Sequence, residues 1–325
     1  MIVRTRHIRS GNFGGLKRQA QPSNVNSPNS GVIVVNRTYI PLSYNTNDEH
    51  VSIDFNLSYT IHKPELLSSA KKPLILIHGG PGIPSNYLKP LASSLDRCVI
   101  VYDQLGCGNS SEPCDLAAYS IPFAVDDLEA LVRHLGLKSF HLFGHSFGGI
   151  LAFEFAKRLS DKGPRNLGKC LSVTLCSTPF NINQVDKESQ AALSMLEDAI
   201  SPQDATSLFH RNHVCRTADI PRSLQESYSK RGKVWQGTEV IQDYVATGPS
   251  MVLNPLPPVL LTRGEYDFVS QLHAFDEWAD LFSNNFSAKC KRSTLLGCSH
   301  YSMLEDQSLS CRIIEQFLSA EEQHS

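Results

Sequence analysis

Residues 139–159 read Ser-Phe-His-Leu-Phe-Gly-His-Ser-Phe-Gly-Gly-Ile-Leu-Ala-Phe-Glu-Phe-Ala-Lys-Arg-Leu, and this stretch decides the fold. Its first part, 140–143, is a short apolar run of the kind found in a buried parallel strand. Its last part, 147–159, has the apolar spacing of an amphipathic helix. Between them stands Gly144-His145-Ser146-Phe147-Gly148, a G-x-S-x-G pattern followed by a further glycine, Gly149. The glycines permit a tight strand-to-helix turn that pushes the Ser146 hydroxyl out of the backbone, and they let the helix lie close to neighbouring strands. The pattern alone is common by chance. Its position between a strand and a helix gives it meaning.

Working outward, the same alternation continues on both sides. Residues 31–43 and 51–62 read as strands, the second alternating as a half-buried antiparallel edge does. Leu74-Ile75-Leu76-Ile77 is a continuous apolar run suited to a central parallel strand. A helix is expected over 87–95, a strand over 98–102, and a helix over 122–135. Ser120 is placed to cap that last helix, Pro122 suits its first turn, and Ala124, Leu128, Leu131, Val132 and Leu135 form its apolar face. Further strands are expected over 171–176, 259–262 and near 294–296, with a closing helix around 309–318. Repeated strand–helix units imply an α/β fold, a mostly parallel sheet flanked by helices. Residues 179–255 break the rhythm, being helical and polar without a convincing strand. They read as a helical cap over the strand C-terminal ends, set between core segments 31–178 and 256–325.

Three further signals fall at strand ends. His78-Gly79-Gly80-Pro81-Gly82 follows the 74–77 strand, and a glycine turn there lets backbone N–H groups approach a substrate carbonyl. Gly79 and Gly80, with the Phe147 N–H at the helix start, are the expected oxyanion-hole donors. Asp267 follows the 259–262 strand in Gly264-Glu265-Tyr266-Asp267, and His300 follows the next in Gly297-Cys298-Ser299-His300. The chain order Ser, Asp, His then assigns Ser146 as nucleophile, His300 as general base and Asp267 as the acid that orients it. Asp103 and Glu265 are the rival acids, less well placed in chain order.

Composition bounds the rest. The 325 residues are 41% hydrophobic and 19% charged, with a net charge of −2, ordinary for a globular protein and without general attraction for nucleic acid. Apolar runs are too short to span a bilayer, so no membrane partner is expected. The nine cysteines are odd in number and form no C-x-x-C pair, which suits reduced thiols in a cytoplasmic protein rather than a disulfide framework. No Cys/His grouping has zinc-ligand spacing, and no metal or cofactor is expected. All basic residues before position 48 (Arg4, Arg6, Arg9, Lys17, Arg18 and Arg37) stand without any Asp or Glu. Residues 1–30 therefore read as a disordered basic tail, or alternatively as a mitochondrial or plastid transit peptide.

The sequence resembles the prolyl iminopeptidase family of α/β-hydrolases and the related amino-acid amidases, over roughly residues 31–320. The resemblance rests on His78-Gly79-Gly80-Pro81-Gly82, on Tyr102-Asp103-Gln104-Leu105-Gly106-Cys107-Gly108-Asn109-Ser110, on the Ser146 turn, on Gly264-Glu265-Tyr266-Asp267 and on Cys298-Ser299-His300. In the cap, His213-Val214-Cys215-Arg216 and Gly237-Thr238-Glu239-Val240 look like degenerate family motifs. The resemblance implies a serine hydrolase that releases an N-terminal residue from a small amide or short peptide, without a cofactor. A buried substrate ammonium needs an opposing carboxylate. Glu239 matches one such position, but Phe268 stands after the triad Asp where relatives often carry an acid. Glu239, Phe268 and His145, the variable residue of the turn, are the expected substrate-facing side chains. The alternatives are an esterase or amidase of a small specialised metabolite, and a poorly catalytic receptor on the same fold.

Overall fold

A computed structural model describes residues 29–42, 50–162, 167–250, 253–285 and 289–323. The basic tail expected over residues 1–30 lies outside the described residues but for its last two. Among these residues, eight strands form one sheet in the order β1-β2-β4-β3-β5-β6-β7-β8. They are β1 (Ser30–Tyr39), β2 (Val51–His62), β3 (Leu74–Ile77), β4 (Val99–Tyr102), β5 (Ser139–His145), β6 (Lys169–Cys176), β7 (Val259–Gly264) and β8 (Cys290–Leu295). From β4 to β8 every neighbouring pair is parallel. β2 is antiparallel to both β1 and β4.

The apolar runs sit where both faces of the sheet are covered. Every residue of β3 and β4 is buried, as expected of central strands in such a sheet. β2 corrects the sequence reading: it alternates, yet it is not the edge, because β1 pairs along its full length outside it. β8 begins at Cys290, earlier than expected, since an edge strand leaves Lys291 and Arg292 in solvent and shows no apolar run.

Helices cover the sheet: α1 (Lys89–Ser94), α2 (Ile121–His134), α3 (Phe147–Lys162), α7 (Leu272–Asn285), α8 (Ser302–Glu305) and α9 (Gln307–Glu322), with α4 (Ile182–Glu197), α5 (Pro202–Phe209) and α6 (Arg222–Ser229) between β6 and β7. The helix expected over 87–95 is split. A 3₁₀ turn, Ser85–Leu88, ends where Pro90 opens α1, because proline has no N–H to continue a helix begun earlier. In α2 the Ser120 hydroxyl accepts the Phe123 N–H at 3.2 Å, and Ala124, Leu128, Leu131 and Val132 are buried. Burying each leucine stabilises the fold by roughly 1.5–3 kcal/mol. On the other side of α3, Phe153 packs edge-on to Trp278 of α7 at 4.8 Å.

The described residues between β6 and β7 add no strand to the sheet. Besides α4, α5 and α6 they hold a π-turn, His210–Val214, and a 3₁₀ turn, Glu239–Ile241. They pack back onto the strand ends. Gly232 N–H donates to Gly82 O at 2.8 Å, and His300 N–H donates to His213 O at 3.3 Å. Among the described residues, no helix is long and apolar enough to cross a membrane.

Candidate active site

The parallel strands bring the C-terminal ends of β3, β5, β7 and β8 to one edge, so Gly79, Ser146, Asp267 and His300 converge although far apart in sequence. Ser146 follows β5 with φ 55°, a left-handed conformation rare for a residue bearing Cβ. Its N–H donates to Cys176 O at 2.8 Å and its carbonyl accepts Gly149 N–H at 2.8 Å, which pins the turn from both sides. A Cβ on Gly148 would collide with the Ile77 and His78 carbonyls, so glycine there lets α3 start against β3. Within residues 140–153, Ser146 alone reaches solvent. Backbone strain held at one accessible hydroxyl is a hallmark of a working site.

Asp267 and His300 meet. The His300 Nδ1 lies 3.0 Å from Asp267 Oδ1, and the Val269 N–H donates to the same oxygen at 3.0 Å. Burial pushes the Asp267 carboxyl up. The charge of His300 and its hydrogen bond, aided by the nearby Ser177 hydroxyl and the Val269 N–H, outweigh this and hold it below the usual range. The carboxylate therefore stays ionised beside the imidazole, which fixes the proton on Nδ1 and leaves Nε2 as the basic nitrogen. The rival acids are engaged elsewhere. Asp103 accepts the Ser85 N–H and hydroxyl on one oxygen and the Asn109 N–H on the other. Glu265 accepts the Gly297 N–H at 2.9 Å.

The glycine turn lies against Ser146: a Cβ on Gly79 would come within 3.0 Å of the Ser146 Cβ. His78 supports the turn from beneath. Its Nε2 accepts the Gln104 N–H at 2.9 Å, so Nδ1 carries the proton and donates to Gly79 O at 2.8 Å. The Gly79 N–H, however, donates to Tyr87 Oη at 2.6 Å. This corrects the expectation for Gly79, whose one proton is already spent inside the protein. Gly80 follows in the same turn at φ 125°, and Phe147 opens α3 directly after Ser146.

The expected substrate-facing residues fare differently. His145 is fully enclosed, with Nδ1 2.8 Å from Tyr87 Oη and Nε2 2.9 Å from His300 O. It is a structural residue rather than a substrate contact, and burial followed by repulsion from His300 pushes it down to about 3. Phe268 is half-buried and meets the Phe209 ring edge-on at 4.9 Å. Phe209 in turn packs on His213 at 5.2 Å, giving an aromatic wall beside the acid loop. Glu239 is exposed at the start of its 3₁₀ turn and makes no ion pair among the described residues. Trp235 packs edge-on to Phe147 at 5.3 Å.

The sequence reading missed two contributors. Tyr87 carries no motif and appeared only as part of a helix. The π-turn contributes residues of a degenerate motif, yet it grips both triad loops: besides the His300 bond, its Val214 O accepts Tyr301 N–H at 3.0 Å, and the His213 side chain reaches the acid loop, Nδ1 lying 3.0 Å from Tyr266 O. Arg216 adds a donor bond to Gly297 O at 3.0 Å and lies 3.9 Å above the Tyr266 ring. A π-turn at such a place is a frequent mark of functional geometry.

A family model for the alpha/beta hydrolase fold matches residues 72–307. The proline iminopeptidase of Lactobacillus delbrueckii subsp. bulgaricus is 31% identical over 276 residues, covering 76% of this chain and 90% of that one. The proline iminopeptidase of Thermoplasma volcanium is 27% identical over 289 residues, covering 80% of this chain and 93% of its own. Among solved structures, the proline iminopeptidase of Mycobacterium smegmatis superposes with a TM-score of 0.66 over 89% of this chain and 99% of that chain, at 24% identity. At that identity the likeness speaks for the fold.

Proposed function

The chain belongs to the proline iminopeptidase-like family of α/β-hydrolases, and on that premise we propose that it is a serine hydrolase acting through an acyl-enzyme on Ser146. One observation carries the reading: a buried, ionised Asp267 holds His300 at 3.0 Å, at the same sheet edge as a strained and accessible Ser146. In this mechanism His300 Nε2 removes the Ser146 proton as Oγ attacks the substrate carbonyl. The Gly80 and Phe147 N–H groups receive the oxyanion, and His300 returns the proton to the leaving group. Water then repeats the cycle to free the acid. Residues 179–255 form the cap that roofs this edge.

The relatives support release of an N-terminal residue from a small amide or short peptide. The Phe268–Phe209 pair and the exposure of Glu239 favour a second reading, an ester or neutral amide, because a desolvated ammonium needs a carboxylate beside it. Hydrolysis of proline and alanine p-nitroanilides, compared with short p-nitrophenyl esters, separates the two. Arylamide turnover that vanishes in Ser146→Ala supports the first. Ester turnover alone, lost in the same variant, supports the second. Turnover of both that survives Ser146→Ala would overturn the nucleophile assignment.

A further inference from the structure

Behind Ser146 lies a hydrogen-bond chain in which every proton has one place to go. Gly79 N–H can only donate, so Tyr87 Oη accepts it at 2.6 Å. The remaining proton of that hydroxyl faces His145 Nδ1 at 2.8 Å. His300 O can only accept, so His145 Nε2 carries the imidazole proton toward it at 2.9 Å. A neutral imidazole has one N–H, which leaves Nδ1 as acceptor and makes the assignment consistent throughout. The chain is sealed from water: Tyr87 and His145 are 0% and 1% exposed. Their rings interlock with Tyr301, at 5.1 Å from Tyr87 and 5.0 Å from His145.

We propose that Tyr87 and His145 are positioning residues, tying the turn that carries the Gly80 donor to the loop that carries the base. Neither touches the reacting atoms. They join the two parts of the site that must keep register, the oxyanion donor and the imidazole, which no backbone hydrogen bond among the described residues links directly. Burial and the charge that develops on His300 both keep His145 neutral, so the bridge survives the step in which His300 takes a proton. The inference rests on the reading of Ser146, Gly80 and His300 given above.

The test uses the full chain and a reagent that needs no knowledge of the substrate, a fluorophosphonate that phosphonylates an activated serine. The maximal labelling rate and the half-saturating concentration are measured by intact mass. Tyr87→Phe keeps the ring and removes only the hydroxyl. It is expected to lower the maximal rate about tenfold or more while leaving half-saturation within about twofold, since small misplacements of a reacting group are costly in rate. His145→Leu should lose rate similarly, and His145→Gln, which retains a donor for His300 O, should recover part of it. Because one chain is cut in each case, the double variant Tyr87→Phe/His145→Leu should be no slower than the slower single one. A Tyr87→Phe rate within about twofold of wild type would overturn the proposal, because a cut chain should misplace the donor. So would multiplying losses in the double variant, or equal losses for Gln and Leu. Tyr87→Phe and His145→Gln decide the matter should His145→Leu not fold. Labelling of Ser146→Ala at the wild-type rate would instead overturn the functional reading, a distinct result.

Discussion

Asp267→Asn isolates the charge of the triad acid. In the wild type one oxygen, Oδ1, takes both His300 Nδ1 and the Val269 N–H. An asparagine carbonyl at that point satisfies both donors, whereas its –NH2 group would face two donors and be repelled. The amide therefore settles with oxygen toward His300, its nitrogen taking the place of Oδ2, which is buried without a hydrogen-bond partner. The imidazole keeps its proton on Nδ1 and its orientation. What disappears is the attraction between carboxylate and imidazolium, about 4 kcal/mol for unit charges about 4 Å apart at an effective dielectric constant near 20. At about 1.4 kcal/mol per decade, this predicts a fall in kcat of about 10³-fold with KM little changed. It is milder than the loss expected where such a change reverses the tautomer. Stability at neutral pH should also fall, because interactions that hold the Asp267 carboxyl below its usual range outweigh its desolvation and are lost with the charge. Steady-state kinetics with whichever p-nitrophenyl ester or p-nitroanilide the wild type turns over, paired with thermal melts, measures both. A kcat within about tenfold of wild type in a fully folded variant would refute the electrostatic role, since it leaves under 1.4 kcal/mol to it.

Two further outcomes follow from residues described above. An exposed charge contributes about 0.2–1 kcal/mol to a pair, so Glu239→Gln should raise KM for amine-bearing p-nitroanilides by at most about fivefold and leave KM for esters unchanged; equal effects on both would remove Glu239 from amine recognition. Burial pushes the Glu322 carboxyl up, but hydrogen bonds from His141, the Lys72 N–H and Arg97 hold it down to about 2, below its ordinary 4.5. A depressed folded value stabilises the protein above the unfolded value and loses that contribution as pH falls from about 4.5 to about 2. Glu322→Gln should therefore melt earlier at pH 7 and show a shallower decline over that window by calorimetry.

The parts legible in the sequence were those whose physics is local. The Leu74-Ile75-Leu76-Ile77 run marks a strand buried on both faces, the Ser120 cap and apolar stripe mark α2, and the Gly144–Gly149 stretch needs glycine for steric reasons that hold wherever the turn occurs. Asp267 and His300 were found through chain order, because parallel topology sends the ends of β7 and β8 to the same edge as Ser146. Contacts made by backbone atoms were invisible. Nothing in the letters His213 and Val214 says that their carbonyls hold the His300 loop. Tyr87 and His145 read as a helix residue and a variable position because their partners lie far away in the chain. Gly79 was misread for the same reason, since only the arrival of the Tyr87 hydroxyl removes its N–H from the substrate's reach.

The π-turn has a consequence for how the site admits its substrate. Its two carbonyls accept the N–H groups of His300 and Tyr301, while Arg216 and His213 fasten it to the Gly297 and Tyr266 carbonyls. Lifting this limb of the cap breaks bonds to the loops bearing both base and acid, so on this side opening and disarming are one event. By contrast α4 has mostly exposed or half-buried residues and, among the described residues, makes no hydrogen bond to the triad loops, Gln184 meeting His273 of α7 at 2.9 Å instead. The catalytic histidine's own loop is thus the anchor to which the π-turn is tied, and the order of the base depends on the order of the segment above it.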